Sequence, residues 1–134
     1  MIGIIVTGHG NYAGGMMKAV QLLAGTPAKF AAVDFKLEDS TDELELKLRG
    51  EIEKFGPCPD GVLIFADLAD EQPAKVSRDL GRKLAGTVQV EVVGGTNLGM
   101  LMECNIARGY INNISALADL AVETGLQQIA RLER

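Results

Sequence analysis

Ile2-Gly3-Ile4-Ile5-Val6-Thr7-Gly8-His9-Gly10 is a short β-branched run that breaks into a glycine–histidine–glycine turn. Continuous Ile and Val without polar alternation predicts a strand buried on both faces, as happens when helices cover both sides of a parallel sheet. The segments that follow fit this. From Ala13 to Ala24 the spacing turns helical, with Met17, Val20, Leu23 and Ala24 on one face, and Gly25-Thr26-Pro27 stops it. Lys29 to Phe35 is a second strand, less apolar and therefore expected nearer an edge. Ser40-Thr41-Asp42-Glu43 forms a capping box ahead of Leu44, Leu48, Ile52 and Phe55, and Gly56-Pro57 ends that helix. Gly61 to Ala66 is a third strand running into Asp67, and Pro73 suits the first position of a third helix carrying Val76, Leu80 and Leu84. Val88, Val90, Val92 and Val93 make a fourth strand closed by Gly94-Gly95. Leu98 to Arg108 reads as a helix, and two more helical stretches, about 114–123 and 126–133, flank Gly125.

Strands that alternate with helices imply right-handed crossovers and a mainly parallel sheet. The expected fold is α/β and flavodoxin-like: a doubly wound, four-stranded sheet in the order 2-1-3-4 with helices on both faces. Residues 1–134 are expected to form one domain. A net charge of -5 and the absence of Trp argue against a nucleic-acid binder. No apolar run approaches the roughly 20 residues that span a bilayer, so no direct membrane insertion is expected. The first apolar run has no positive charge ahead of it, which argues against a secretory signal. Two cysteines, Cys58 and Cys104, are too few for a disulfide scaffold, and the expected location is the cytoplasm.

In open α/β sheets ligands sit beyond the carboxyl ends of strands where the strand order reverses. In the order 2-1-3-4 that point lies between strands 1 and 3, which end in Gly8-His9-Gly10 and Asp67. The only histidine is thereby placed beside a carboxylate. A neutral imidazole is a competent nucleophile near neutral pH, and a carboxylate on one ring nitrogen fixes the tautomer that leaves the other free to attack. No serine lies in a nucleophile elbow, and one histidine with scattered carboxylates lacks metal-ligand spacing, so neither a hydrolytic triad nor a metal site is expected. Gly8-x-Gly10-x-x-x-Gly14 with Asp34 twenty residues on loosely matches a dinucleotide fingerprint, although the glycine spacing is off by one. Lys75, Arg78, Arg82 and Lys83 make the third helix basic, and Met100, Leu101 and Met102 read as core or as a contact between copies.

Several segments together resemble the enzyme IIA component of the mannose/fructose/sorbose family of the bacterial sugar phosphotransferase system. They are Ile4-Ile5-Val6-Thr7-Gly8-His9-Gly10, Ala13-Gly14-Gly15-Met16, Val33-Asp34-Phe35, Gly61 to Leu68 and Gly95-Thr96-Asn97-Leu98. The Thr-Gly-His-Gly and Gly-Thr-Asn-Leu forms are most similar to the N-acetylgalactosamine/galactosamine branch. The resemblance implies that His9 accepts a phosphoryl group from the phosphocarrier HPr and hands it to enzyme IIB, which serves membrane IIC and IID subunits. It implies that Asp67 pairs with His9 and that the protein is a homodimer; the sequence itself calls for no cofactor. Gly8, Gly10, Leu68, Gln72 and Asn97 are the candidate residues of the phosphoryl pocket, Asn97 reading equally well as a helix cap. One stretch departs from the family. After the Asp the family continues Gly-Gly-Ser/Thr-Pro, whereas this chain has Leu68-Ala69-Asp70-Glu71-Gln72-Pro73. Two carboxylates there oppose a bound phosphate, which suggests as an alternative a regulatory or binding domain on the same fold that transfers nothing.

Overall fold

A computed structural model describes residues 1–134. Nine elements follow one another: β1 (Gly3–His9), α1 (Tyr12–Ala24), β2 (Phe30–Phe35), α2 (Thr41–Lys54), β3 (Val62–Ala66), α3 (Gln72–Lys83), β4 (Val90–Val93), α4 (Leu98–Ala107) and α5 (Ile114–Gln127). The four strands form one parallel sheet in the order β2-β1-β3-β4, as expected, with β2 at an edge. Alternate residues of the strands feed two cores. Ile4, Val6, Leu63 and Phe65 pack against α1, α4 and α5 through Val20, Leu101, Cys104 and Leu117. Ile5, Val62 and Ile64 pack on the other face against α2 and α3 through Leu44, Leu48 and Leu80. Double burial is why the strand sequences show no alternation of apolar and polar residues.

The capping box of α2 is formed: Ser40 Oγ accepts from the Glu43 amide at 3.1 Å, and Glu43 Oε1 accepts from the Ser40 amide at 3.3 Å. Four other readings need correction. β1 does not stop at Thr7 but runs through His9, which pairs with Phe35 of β2. β4 starts at Val90 rather than Val88, because the Val88 amide donates back to Leu84 at the end of α3. The last turn of α1 is exposed throughout, so Leu23 and Ala24 do not share the buried face of Val20.

The fourth correction concerns the tail. Gly125 does not separate two helices; α5 runs through it to Gln127, and the residues beyond are not helical. A Cβ at position 125 would lie 2.4 Å from Met100 Cε, so glycine there lets α5 approach α4 closely. The stretch beyond fails as a helix because its apolar side chains have nothing to pack on: Ile129 and Leu132 are 76% and 87% exposed. Met100, Leu101 and Cys104 are core residues, so α4 does not offer them to a second copy.

Arg108 ties the amino-terminal ends of β1 and β2 to the end of α4. It is 4% exposed, and its guanidinium donates to the carbonyls of Ile2, Lys29 and Ala28 at 2.9, 2.9 and 2.5 Å and to Asn105 Oδ1. No carboxylate pairs with it. Burial lowers its pKa to about 10, which still leaves it charged at neutral pH. The contact also holds Lys29 in the left-handed region at φ 47°, a conformation that a lysine rarely adopts unaided. Arg108→Ala should therefore cost about 2–4 kcal/mol, since one buried and two part-buried carbonyls lose a charged donor at once. Urea unfolding of the two proteins measures this, and a change within 0.5 kcal/mol, the ordinary range for surface substitutions, would show that the carbonyls find other partners.

Candidate functional site

The parallel pairing sets the carboxyl ends of β1 and β3 side by side, with Thr7 opposite Ala66. The next residues of the two chains converge. Asp67 Oδ2 accepts from the His9 amide at 2.9 Å and lies 2.8 Å from His9 Nδ1, while Asp67 Oδ1 accepts from the Leu68 amide at 2.9 Å. Burial alone would raise the pKa of this carboxyl. The hydrogen bonds from the His9 amide, the His9 ring and the Leu68 amide outweigh it and hold the pKa below its ordinary 3.8. An ionised carboxylate can only accept, so Nδ1 is the nitrogen that carries the proton, and Nε2 keeps its lone pair. The His9 side chain is 45% exposed and that of Asp67 only 11%, so the imidazole is the reactive face of the pair.

Glycines make this approach possible. A Cβ on Gly8 would lie 2.6 Å from the Tyr12 ring and 2.9 Å from Asp67 Cγ, so any side chain there displaces the carboxylate. Gly10 turns the chain with φ +60°, and its amide donates to the Phe35 carbonyl at 2.8 Å. The His9 ring stands edge-on to Phe35, with centroids 5.9 Å apart. A shallow depression over the ring is lined by His9, Gly10, Phe35, Lys36 and Leu37.

Of the residues singled out from sequence, His9, Asp67, Gly8, Gly10 and the Leu68 amide come together here. Gln72 is exposed at the start of α3. Asn97 is taken up elsewhere: its Oδ1 accepts from the Met100 amide at 3.1 Å as the cap of α4, and its Nδ2 donates to the Gly125 carbonyl at 3.0 Å. Asp34 spends a carboxylate oxygen on the Gly14 amide at 2.9 Å, inside the fold rather than toward a ribose. No group of three or more His, Cys, Asp or Glu side chains is disposed to hold a metal ion.

Three neighbours escaped the sequence reading. The Tyr12 hydroxyl donates to the Thr96 carbonyl at 2.5 Å, and burial, reinforced by the charge of Asp67, raises its pKa to about 12. Thr96 Oγ1 donates to the Ala66 carbonyl at 2.8 Å, which anchors the loop after β4 beside the site. Phe35 is the register partner of His9, placed there by the parallel pairing of β1 with β2.

A protein-family model described as "PTS system fructose IIA component" matches residues 3–122. The chain belongs to this family. It is 27% identical over 132 residues to the mannose-specific EIIAB component of the phosphotransferase system of Escherichia coli K12, a match that covers 98% of this chain. This chain spans about 40% of the length of that relative. Among solved structures it is similar to phosphotransferase system component EIIA from Streptococcus agalactiae, with a TM-score of 0.89 and 27% identity over 98% of this chain and 97% of the other. The mannose/sorbose specific IIA subunit from Enterococcus faecalis gives 0.83 and 26% identity, over 99% and 96% of the two chains. No helix of this IIA-family chain is long and apolar enough to cross a membrane.

The depressed pKa of Asp67 has a signed consequence for stability. The carboxylate contributes fully above its ordinary pKa of 3.8, and the contribution disappears as the pH falls through the lower native value. The stability gap between the wild type and Asp67→Asn should therefore narrow as the pH falls below about 4. Urea unfolding of both proteins over that range tests it, and a gap that does not narrow in acid would mean the carboxylate is not held by these hydrogen bonds.

Proposed function

We propose that this chain is a phosphohistidine relay of a sugar phosphotransferase system, with His9 accepting a phosphoryl group from HPr and passing it to enzyme IIB for sugar uptake. The observation that carries this is the 2.8 Å contact between His9 Nδ1 and Asp67 Oδ2, which leaves Nε2 without a partner on a ring that lines an open depression. The lone pair of Nε2 attacks phosphorus while the bond from phosphorus to the donor imidazole breaks, and that electron pair returns to the donor ring. The Nδ1 proton stays in place, so the phosphorylated ring is cationic and Asp67 stabilises it. Such transfer is mainly positioning and electrostatics, and the reverse geometry serves transfer onward. Asp67 itself is a poor nucleophile here, because both its oxygens accept hydrogen bonds.

The finer assignments belong to the same proposal. Gly8, Gly10 and the Leu68 amide shape the phosphoryl pocket around His9. Thr7-Gly8-His9-Gly10 and Gly95-Thr96-Asn97-Leu98 support the N-acetylgalactosamine/galactosamine branch. The working compartment is the cytoplasm, where the phosphoryl donors of such a relay reside. Residues 1–134 act as a single IIA domain.

We also propose that two copies associate. Val122, Leu126, Ile129 and Leu132 leave one side of α5 and the residues after it apolar and 50%, 69%, 76% and 87% exposed. A second copy would cover this stripe better than water does. Light scattering at micromolar concentration should give twice the 14.2 kDa chain mass, and Leu126→Glu with Ile129→Glu should return it to one. A wild type of one chain mass would refute the dimer.

For the relay itself, incubation with phosphoenolpyruvate, enzyme I and HPr should add about 80 Da, one phosphoryl group, to the intact chain. His9→Ala should abolish the gain. The label should be acid-labile and base-stable, as a phosphoramidate is; persistence of the label in His9→Ala, or the opposite lability, would overturn the assignment.

A further inference from the structure

We infer that Lys36 holds the phosphoryl group over His9, a role that rests on reading His9 as the phosphoryl acceptor. The need for a cation follows from charge. A phosphoryl group brings about two negative charges near neutral pH. It arrives beside Asp67, which is ionised, at an end of the sheet where the turn between β3 and α3 adds Asp70 and Glu71. α3 offers no cation in its first turn: its cap residue is Glu71, and Gln72 carries only a neutral amide donor. Without a compensating positive group, like charges would disfavour the phosphorylated state.

The depression over the ring supplies one cation. Its volume is about 330 Å³, and of its lining residues His9, Gly10, Phe35, Lys36 and Leu37 only Lys36 carries a fixed positive charge. The backbone of Lys36 is pinned close to the ring. Phe35 is paired with His9, and the Gly10 amide donates to the Phe35 carbonyl at 2.8 Å. Lys36 follows Phe35 directly and lines the same depression as the ring, so its flexible stem can bring the ammonium toward a group held there. The ammonium makes no hydrogen bond or ion pair of its own, and its charge acts on Asp39 only at longer range. Asp39, the carboxylate nearest to it in sequence, is bonded to Lys47 Nζ at 2.7 Å and to the backbone amide of Lys36, and no carboxylate lies within ion-pair distance of Lys36 Nζ. The other basic cluster, Lys75, Arg78 and Arg82, lines a separate groove between α3 and β4. Lys36 therefore acts after the attack as well as before it: the ammonium meets the incoming phosphoryl oxygens and then the dianion held on Nε2.

The test uses a donor without a protein surface. Phosphoramidate transfers its phosphoryl group to Nε2 and leaves as ammonia, and intact mass reads the phosphorylated fraction with time. Lys36→Met, which keeps the length of the stem, should lower the initial rate by about fivefold, and Lys36→Arg should restore it to within about twofold. The difference between wild type and Lys36→Met should shrink in about 1 M salt, where charge interactions fade beyond roughly 3 Å. Equal rates for wild type and Lys36→Met would overturn the inference. So would a defect seen only with HPr-phosphate, which would place Lys36 in partner docking, or a defect that Arg does not rescue. A wild type that gains no mass from either donor would overturn the reading of His9 itself, and the role of Lys36 with it.

Discussion

One carboxylate, that of Asp67, receives hydrogen bonds from the ring and the amide of His9 and from its own neighbour Leu68. Much of the architecture serves to let that happen. The residue must stand at the end of β3, β3 must lie beside β1, and the chain between Thr7 and His9 must leave room for it. The sheet order meets the first two conditions, and the missing side chain of Gly8 meets the third. Because β1 continues through His9, the histidine backbone is held by β2 on one side and by Asp67 on the other. The ring is thus fixed by sheet pairing rather than by a loose turn, which is what a transfer that depends on positioning requires.

The same contact divides the imidazole into two ends. Nδ1 faces a carboxylate whose pKa is held below its ordinary value, and Nε2 is left without a partner. A nucleophile needs a lone pair and a means of bearing the charge that develops after attack. Both are present on one ring without a second acid or base. The surroundings divide similarly. Tyr12, Thr96 and Asn97 spend their polar groups on the fold, so they support the site without entering it. Lys36, which lines the depression beside the ring, makes no hydrogen bond or ion pair through its side chain.

What could be read from the residues alone follows the range of the interactions involved. Strand burial, the Ser40–Glu43 capping box and the alternation of strands with helices are local patterns, and they led to the sheet order and to His9 and Asp67 as its paired strand ends. The tail is not legible locally because the meaning of Gly125 is a long-range contact: against Met100 it marks close packing, where local spacing suggests a helix stop. Leu23 was assigned to the wrong environment because helical periodicity does not say where the layer beneath a helix ends. Asn97 kept two readings until its amide was seen to bridge α4 and α5. Phe35 and Lys36 face His9 only through the parallel register of β1 with β2, which sequence spacing does not reveal.

The central claim is that Nε2 of His9, and no other atom, carries the phosphoryl group. Nitrogen-15 and phosphorus-31 NMR of the phosphorylated chain with labelled histidine tests it most directly, since the coupling identifies the bonded nitrogen. The geometry predicts one phosphorus bonded to Nε2, with Nδ1 still protonated and donating to Asp67. Phosphorus on Nδ1, or on a carboxylate oxygen with both ring nitrogens free, would contradict it.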